Sequence, residues 1–222
     1  MTLDDLQLKL QYQFRDPALL ELALTHKSFA TTNNERLEFL GDAVLGYVAA
    51  TLLYRSGPTF SEKDMSLARA HLVRGTTLAE IAAELDLGAC LRMGSGELKS
   101  GGRQRRSILA DALEAVLGAV HEDGGIGACE QLIERLLAER IATLDIRSLK
   151  DAKTRLQEYL QGAQRSLPVY EVVDTYGADH AREYRIACVL DDGTRVEARS
   201  SSRRKAEKDA ARLMLAELGV EQ

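Results

Sequence analysis

Three kinds of protein are disfavoured by what this sequence lacks. Its three cysteines, Cys90, Cys129 and Cys188, are widely spaced and form no CxxC pair, so they predict reduced thiols and neither a disulfide framework nor a zinc site. The longest apolar stretch, Ala43 to Tyr54, is too short and too interrupted to cross a bilayer. The first ten residues lack the basic start and apolar run of a signal peptide. We therefore expect a cytoplasmic protein without a membrane partner.

The sequence also lacks an excess of basic residues: its net charge is −5. This charge at first argues against nucleic acid, but clustering matters more than the total for binding a polyanion. One basic cluster lies in the glycine-rich segment 92–106, and it contains Arg92, Lys99, Arg103, Arg105 and Arg106. We interpret this segment as a mobile basic loop that contacts phosphates, with a solvated linker as the alternative.

The sequence NERLEFLGDAVL, residues 34–45, predicts a helix with an acidic stripe. Glu35, Glu38 and Asp42 recur at i, i+3 and i+7, so they share one face. No Lys or Arg stands three or four residues from Glu38 or Asp42, so something outside the helix should compensate their charge. The opposite face is predicted to be apolar and contains Leu37, Leu40, Val44, Tyr47 and Val48.

A second stretch, ILADALEAVLGAV at residues 108–120, repeats this pattern. Asp111 and Glu114 are i, i+3 neighbours without a basic partner at helical spacing. Gly118 lies one helical turn after Glu114, just as Gly46 lies one turn after Asp42. Glycine inside a helix costs about 1 kcal/mol relative to alanine, and is tolerable where a backbone or ligand approaches closely. Its predicted apolar face contains Leu109, Leu113, Val116 and Val120.

Two such helices packed together would bring four carboxylates into one pocket. Oxygen-only ligands suit a hard divalent cation, so the pattern predicts Mg²⁺, with Mn²⁺ as a substitute. The alternative interpretation is two amphipathic helices whose acidic residues face water. A di-iron carboxylate protein would instead need Glu-x-x-His pairs, which neither Glu38 nor Glu114 begins.

The order of patterns predicts two domains. Residues up to about 146 are helical in pattern, with helix starts at Asp16-Pro17, at Ser61 and at a capping box from Thr77. A last helix is predicted over 127–144. We expect an all-helical domain over 1–147, followed by a short polar linker.

From residue 151 to 220 the pattern becomes α-β-β-β-α, which predicts a small α+β domain. Strands are expected over 169–176, 183–190 and 194–200, with a hairpin turn at Asp191-Asp192-Gly193. The last helix begins after Ser202 with Arg203, Arg204 and Lys205, although a helix dipole prefers acids in that turn. A helix N-terminus with basic side chains is instead a good phosphate site, and a basic surface patch is the alternative.

Taken together, these motifs resemble the ribonuclease III family. NERLEFLGDAVL is similar to that family's signature, and ILADALEAVLGAV is similar to its second acidic helix. Residues 152–218 resemble the double-stranded RNA-binding domain that follows the nuclease domain, through KTRLQEYLQ, LPVYEV and SSRRKAEKDAARLML. The resemblance covers essentially the whole chain.

The resemblance implies roles for individual residues. Metal binding is implied for Glu38, Asp42, Asp111 and Glu114, with Asp42 and Glu114 as catalytic residues, and a peripheral role for the acids Glu35 and Glu62. RNA binding is implied for Gln157, Glu158, His180, Arg203, Arg204 and Lys205, and we add Lys99 and Arg103 from the basic segment. Glu207 is a departure, because many such domains have another Lys there.

The resemblance further implies a homodimeric endoribonuclease that hydrolyses both strands of double-stranded RNA and needs no small-molecule cofactor. The implied products carry 5′-phosphate and 3′-hydroxyl ends, and the implied substrates include ribosomal RNA precursors and other structured transcripts. Phe39 and Leu45 lie at the edge of the acidic face. These apolar side chains also favour a dimer, because a second chain would shield them from water. The alternative is a catalytically silent protein that binds double-stranded RNA; such a protein is expected to have lost a carboxylate, whereas this sequence keeps all four.

Overall fold

A computed structural model describes residues 1–56, 60–177 and 182–220, and divides the chain into two compact units, Met1–Leu144 and Asp145–Gln222. The first unit is helical: its described elements are α1 (Leu3–Leu10), α2 (Pro17–Ala23), α3 (Glu35–Ser56), α4 (Glu62–Leu72), α5 (Gly75–Glu84), α6 (Ser95–Lys99) and α7 (Arg106–Ala142). Short 3₁₀ turns cover Leu87–Cys90 and Gly102–Gln104. The all-helical prediction for this part of the chain is confirmed.

Helices α3 and α7 form the most extensive helix pair of the first unit. The side of α3 that faces α7 is buried, including Leu37, Val44 and Val48 as predicted. Almost every residue of α7 between Ile108 and Val120 is buried, because other elements cover its remaining sides. The apolar stretch Ala43 to Tyr54 alone is too short to cross a membrane, but α3 as a whole has the length and composition to do so. In this structure one side of α3 forms the core of a helical unit.

The predicted helix starts are mostly confirmed. The Asp16 side chain accepts a hydrogen bond from the Ala18 N–H with Pro17 at the first helical position, and Ser61 forms a capping box at the start of α4. The capping box predicted at Thr77 is wrong: α5 already begins at Gly75, and the Thr77 hydroxyl donates to the His71 carbonyl. The helix therefore begins three residues before the position that the local motif indicates, and no side chain caps its start.

The last predicted helix of this unit is confirmed: it follows the second acidic helix across a kink, so that α7 consists of two helices. Only Gly125, with φ of 76°, interrupts the helical geometry of α7, which ends at Ala142. The loop predicted over 92–106 is wrong in part, because the segment contains α6 and a 3₁₀ turn. The pair Gly57-Pro58, which predicts the end of the first acidic helix, lies outside the described residues, and the described part of α3 ends at Ser56.

The second unit has the predicted α-β-β-β-α order. After a single helical turn, α8 (Ile146–Leu149), come α9 (Ala152–Gly162), β1 (Val169–Tyr176), β2 (Glu183–Val189), β3 (Arg195–Ser200) and α10 (Arg203–Glu217). The sheet is antiparallel in the order β1-β2-β3, and α9 and α10 close its core with Leu156, Leu160, Ala210 and Met214. In α10, Leu215 is buried, whereas the nearby Leu213 is exposed.

Candidate active site

The two acidic helices touch through their backbones at paired glycines. A Cβ atom on Gly41 of α3 would overlap the carbonyl oxygen of Glu114 in α7, and one on Gly118 would overlap the carbonyl oxygen of Leu37 in α3. The sequence predicted a close approach at Gly118 but also at Gly46, where a Cβ would meet nothing within 4 Å. The glycines that set this helix crossing are therefore Gly41 and Gly118.

This crossing brings carboxylates from both helices together. Oxygen atoms of Glu38, Asp111 and Glu114 lie within 4.8 Å of one another, as a metal-binding group requires. Asp42 lies outside this group of three and is exposed, yet its charge raises the pKa of Glu114. Within the described ranges, none of these four carboxylates forms an ion pair or a hydrogen bond with the side chain of another residue.

Burial and mutual repulsion make the group costly to ionise. Burial, followed by the charges of Asp42, Asp111 and Glu38, raises the pKa of Glu114 from 4.5 to about 7. The pKa of Glu38 is also raised, by burial and then by Asp111, and burial raises the pKa of Asp111. Partly buried acids that repel one another are the donor set that a divalent cation stabilises.

The raised pKa of Glu114 predicts a pH-dependent stability in the presence of a chelator. The folded state keeps the Glu114 proton where the unfolded chain has lost it, so this stabilisation is full below pH 4.5 and is lost as the pH rises through about 7. At pH 8, Glu114→Gln should therefore stabilise the metal-free chain by about 2 kcal/mol, allowing for solvent around the partly buried carboxylate, or roughly 4–8 °C in Tm. Thermal melts should show no such gain at pH 5. A gain equal at both pH values would contradict the assigned pKa.

The compensating cation that α3 lacks comes from the segment before the helix. Lys27 Nζ lies 3.1 Å from Glu35 Oε1, and the pKa of Glu35 is lowered chiefly by this hydrogen bond. Glu35 is thus paired beside the three-carboxylate group and is not a member of it. Sequence reasoning missed Lys27, because its separation of eight residues from Glu35 fits no helical spacing.

Glu62, the other predicted peripheral acid, lies elsewhere in the unit. It is exposed at the start of α4, accepts a hydrogen bond from the Ser66 hydroxyl at 2.8 Å, and lines a groove with Tyr47 and Tyr54 of α3. The structure therefore does not bring Glu62 to the three carboxylates of its own chain.

Some basic side chains of segment 92–106 already contact other residues of the same unit. Lys99 is exposed at the end of α6, whereas Arg103 donates to the Ala89 carbonyl at 3.1 Å. Arg105 pairs with Glu97 at 2.6 Å. Of the two basic residues proposed here as RNA ligands, Lys99 is the more available.

The second unit places its predicted RNA-binding residues on α9 and at the start of α10. Gln157 is exposed, and Glu158 pairs with Lys150 at 2.9 Å. Arg204 and Lys205 are exposed in the first turn of α10, which Ser202 caps. His180, predicted as a further contact, lies outside the described residues.

Glu207, the departure noted in the sequence, binds two cations at once. Its carboxylate lies 2.7 Å from Lys153 of α9 and 2.9 Å from Arg203 of α10, and its side chain is only 15% exposed. The Lys153 ammonium also lies over the Tyr170 ring, 4.4 Å from its centroid. Arg203, unlike Arg204 and Lys205, is therefore held by an acid within its own helix.

Comparison with known proteins gives matches along essentially the whole chain. A ribonuclease-III-like family model matches residues 16–141, and a double-stranded RNA binding motif matches residues 152–218. Ribonuclease 3 of Hahella chejuensis is 50% identical over 99% of this chain and 98% of its own length, and Ribonuclease 3 of Dechloromonas aromatica is 50% identical over 98% and 99%. A solved nuclease domain of ribonuclease III from Campylobacter jejuni is 42% identical, with a TM-score of 0.62 over 64% of this chain and 99% of that one. The chain therefore belongs to the ribonuclease III family.

Proposed function

We propose that this chain is an endoribonuclease that hydrolyses both strands of double-stranded RNA with divalent metal ions. The observation that carries the proposal is the convergence of Glu38, Asp111 and Glu114 within 4.8 Å, in a chain that also has a double-stranded RNA binding motif. Its relatives named Ribonuclease 3 support the same activity. We further propose that it processes ribosomal RNA precursors and acts in the cytoplasm. The products we propose carry 5′-phosphate and 3′-hydroxyl ends.

The donor set is made only of carboxylate oxygens, so we propose Mg²⁺, with Mn²⁺ able to replace it. Glu38, Asp111 and Glu114 would hold the ion, and Asp42, whose charge raises the pKa of Glu114, would join them or bind the water of the ion. Such an ion lowers the pKa of a bound water and neutralises charge at the reacting phosphate. Glu114, whose pKa is about 7, would lose its proton when the ion binds.

Duplex recognition is assigned to the second unit. A-form RNA hides its bases in a deep major groove, so a protein reads its shape, phosphates and 2′-hydroxyl groups. We propose that Gln157 and Glu158 of α9 contact a minor groove, and that Arg204, Lys205 and Arg203 contact phosphates. Sequence preference should therefore be weak.

The direct test incubates the pure chain with labelled duplex RNA, with Mg²⁺ or with a chelator. Both strands should be shortened in Mg²⁺ alone, and single-stranded RNA of the same sequence should stay intact. A duplex that is bound in a gel shift but never cut would favour the alternative, a catalytically silent double-stranded RNA-binding protein.

A homodimer is proposed from the exposed aromatic residues of α3. Phe39, Tyr47 and Tyr54 are 80%, 57% and 74% exposed and lie on one side of the helix, although the sequence placed Tyr47 on the buried face. Leu45, expected to need cover from a partner, is already buried within its own unit. Exposed apolar groups aligned in this way mark a protein–protein contact, and the Campylobacter jejuni nuclease domain has a region involved in dimer formation.

We expect light scattering to give twice the chain mass at micromolar concentration. Phe39→Ser should shift that mass towards one chain, whereas Leu8→Ser, which removes an exposed leucine of α1, should not. A monomer that still cuts both strands fully would contradict the proposed dimer.

The two units are proposed to have separable roles. A chain that ends at Arg147 keeps all four carboxylates and lacks α9 and α10, so it should bind duplex RNA poorly but still cut at low salt, where fewer phosphate contacts suffice. Cleavage rates of the shortened and full chains, measured from about 20 to 200 mM salt, should diverge as salt rises. Equal rates at physiological salt would remove the role assigned to the second unit.

A further inference from the structure

The segment that carries Lys27 is fixed in place by the start of the basic segment. Thr25 forms an isolated parallel bridge with Arg92, and the His26 N–H donates to the Arg92 carbonyl at 3.0 Å. The Gly94 N–H donates to the Ser28 hydroxyl at 3.0 Å, and a Cβ at Gly94 would overlap the Ser28 carbonyl oxygen. The backbone on both sides of Lys27 is therefore held against residues 92–94.

The same segment is also anchored to the start of α3. The buried Asn34 donates from its backbone N–H to the Thr25 carbonyl at 2.9 Å and from its side chain to the Ala23 carbonyl at 3.2 Å. The Lys27 ammonium then reaches Glu35, the first residue of α3. Lys27 thus stands at a defined position between the acidic helix and the basic segment.

The charge of Lys27 acts on the carboxylate group as well as on Glu35. It lowers the pKa of Glu38 and of Asp111 against the upward effect of burial, and for Asp111 it is the largest lowering influence, ahead of His26. The Lys27 side chain is nevertheless 64% exposed, so a solute can reach its ammonium group. An ion pair this exposed contributes little to stability, so stability alone does not explain a lysine at this position.

Building on the proposed function, we propose that Lys27 is a substrate-positioning residue: its ammonium group binds a phosphate of the RNA strand that enters the carboxylate group. Five acids, Glu35, Glu38, Asp42, Asp111 and Glu114, would repel that strand, and one bound divalent ion would leave a net negative charge. A cation at the edge of the group offsets this repulsion at the place where a phosphate must approach. Glu35 holds the ammonium at the edge, and the phosphate takes its place when RNA binds.

The test compares Lys27→Met and Lys27→Arg with the wild-type chain, and uses Lys9→Met as the matched control. Lys9 is also an exposed lysine, on α1, where it donates to the Leu85 carbonyl. Mn²⁺ affinity is measured by calorimetry without RNA, and single-turnover cleavage is measured at saturating duplex RNA. Gel shifts in the presence of a chelator give the duplex affinity.

Lys27→Met should change the two main readouts in opposite directions. Mn²⁺ should bind about threefold or more tightly, because a repelling cation is gone and Glu35 is unpaired. Cleavage should fall about tenfold or more, because the phosphate loses a charge-assisted contact. Duplex affinity should change by less than about threefold, since many other phosphate contacts remain. Lys27→Arg should restore most of the rate, and Lys9→Met should match the wild-type chain throughout.

Two results would overturn the inference alone. One is a Lys27→Met chain that cuts at the wild-type rate. The other is a loss of both Mn²⁺ affinity and cleavage, which would indicate that Lys27 merely supports the local structure. A wild-type chain that cuts no duplex RNA would overturn the proposed function itself, and this inference with it.

Discussion

Replacing Glu114 by Gln is expected to abolish RNA cleavage while leaving duplex binding intact. The side chain lies within 4.8 Å of Glu38 and Asp111, and no basic residue is among the groups that shift its pKa. Gln has nearly the same shape and keeps one carbonyl oxygen, so α7 and its buried face should be undisturbed. The substitution removes the negative charge that helps to hold a divalent ion and to lower the pKa of its water, and we expect a loss on the order of 10³-fold or more in rate.

Single-turnover cleavage across Mg²⁺ concentrations, beside a gel-shift titration, measures both halves of this prediction. Duplex binding should survive or tighten slightly, because the substitution removes a negative charge near a polyanion and leaves Arg204 and Lys205 untouched. The matched control is Glu134→Gln, the same change at an exposed position of α7 beyond the kink at Gly125, which should leave the rate within a small factor of wild type. Near-normal cleavage by the Glu114 variant would remove this residue from the active site and would undercut the carboxylate group as a metal centre.

Gly41→Ala and Gly118→Ala are expected to be among the most destabilising single-methyl additions in the chain. Each new methyl group would overlap a backbone carbonyl oxygen of the facing helix, and a backbone cannot rotate away as a flexible side chain can. We expect each substitution to cost about 3 kcal/mol or more, which corresponds to roughly 6–12 °C in the Tm of the helical unit. Because the crossing also sets the distance between Glu38 and Glu114, metal affinity should fall as well.

Gly46→Ala is the control, because a Cβ there would meet nothing within 4 Å. With no overlap, this substitution should stabilise α3 by roughly 0.5–1 kcal/mol through the higher helix propensity of alanine. In thermal melts followed by circular dichroism, Gly46→Ala should therefore raise the Tm, whereas Gly41→Ala and Gly118→Ala should lower it. Equal effects at Gly41 and Gly46 would contradict the backbone contact between α3 and α7.

Local pattern was sufficient for much of the fold. Strand β1 covers the predicted 169–176, and β2 and β3 differ from their predicted ranges by one residue each, because alternating side chains and the Asp-Asp-Gly turn define a hairpin locally. The acidic stripes were also readable, since i, i+3 and i+7 spacing places residues on one helix face wherever the helix packs. Of the three acids that lie together, Asp111 and Glu114 come from the stripe predicted on the second acidic helix, and Glu38 comes from the stripe predicted on the first.

Features that depend on which elements meet were not readable from the sequence. Tyr47 fits an apolar stripe, but its exposure depends on where α4 and α7 cover α3. Gly41 is next to Asp42 in the sequence with nothing local to mark it, and only the crossing with α7 gives it a packing role. Lys27 and Arg92 are 65 residues apart, so no periodicity indicates that the segment 25–28 lies against residues 92–94.

The bridge from Lys153 through Glu207 to Arg203 has a consequence for how the second unit distinguishes one duplex from another. It joins α9 to the start of α10, the two elements to which minor-groove and phosphate contacts are assigned. Their separation is therefore set before any nucleic acid arrives, which lowers the entropy lost on binding. A pair of contacts at a fixed separation fits a helix with one groove spacing and not another, so selectivity for A-form RNA over B-form DNA can arise from a distance within the protein, without any hydrogen bond to a base.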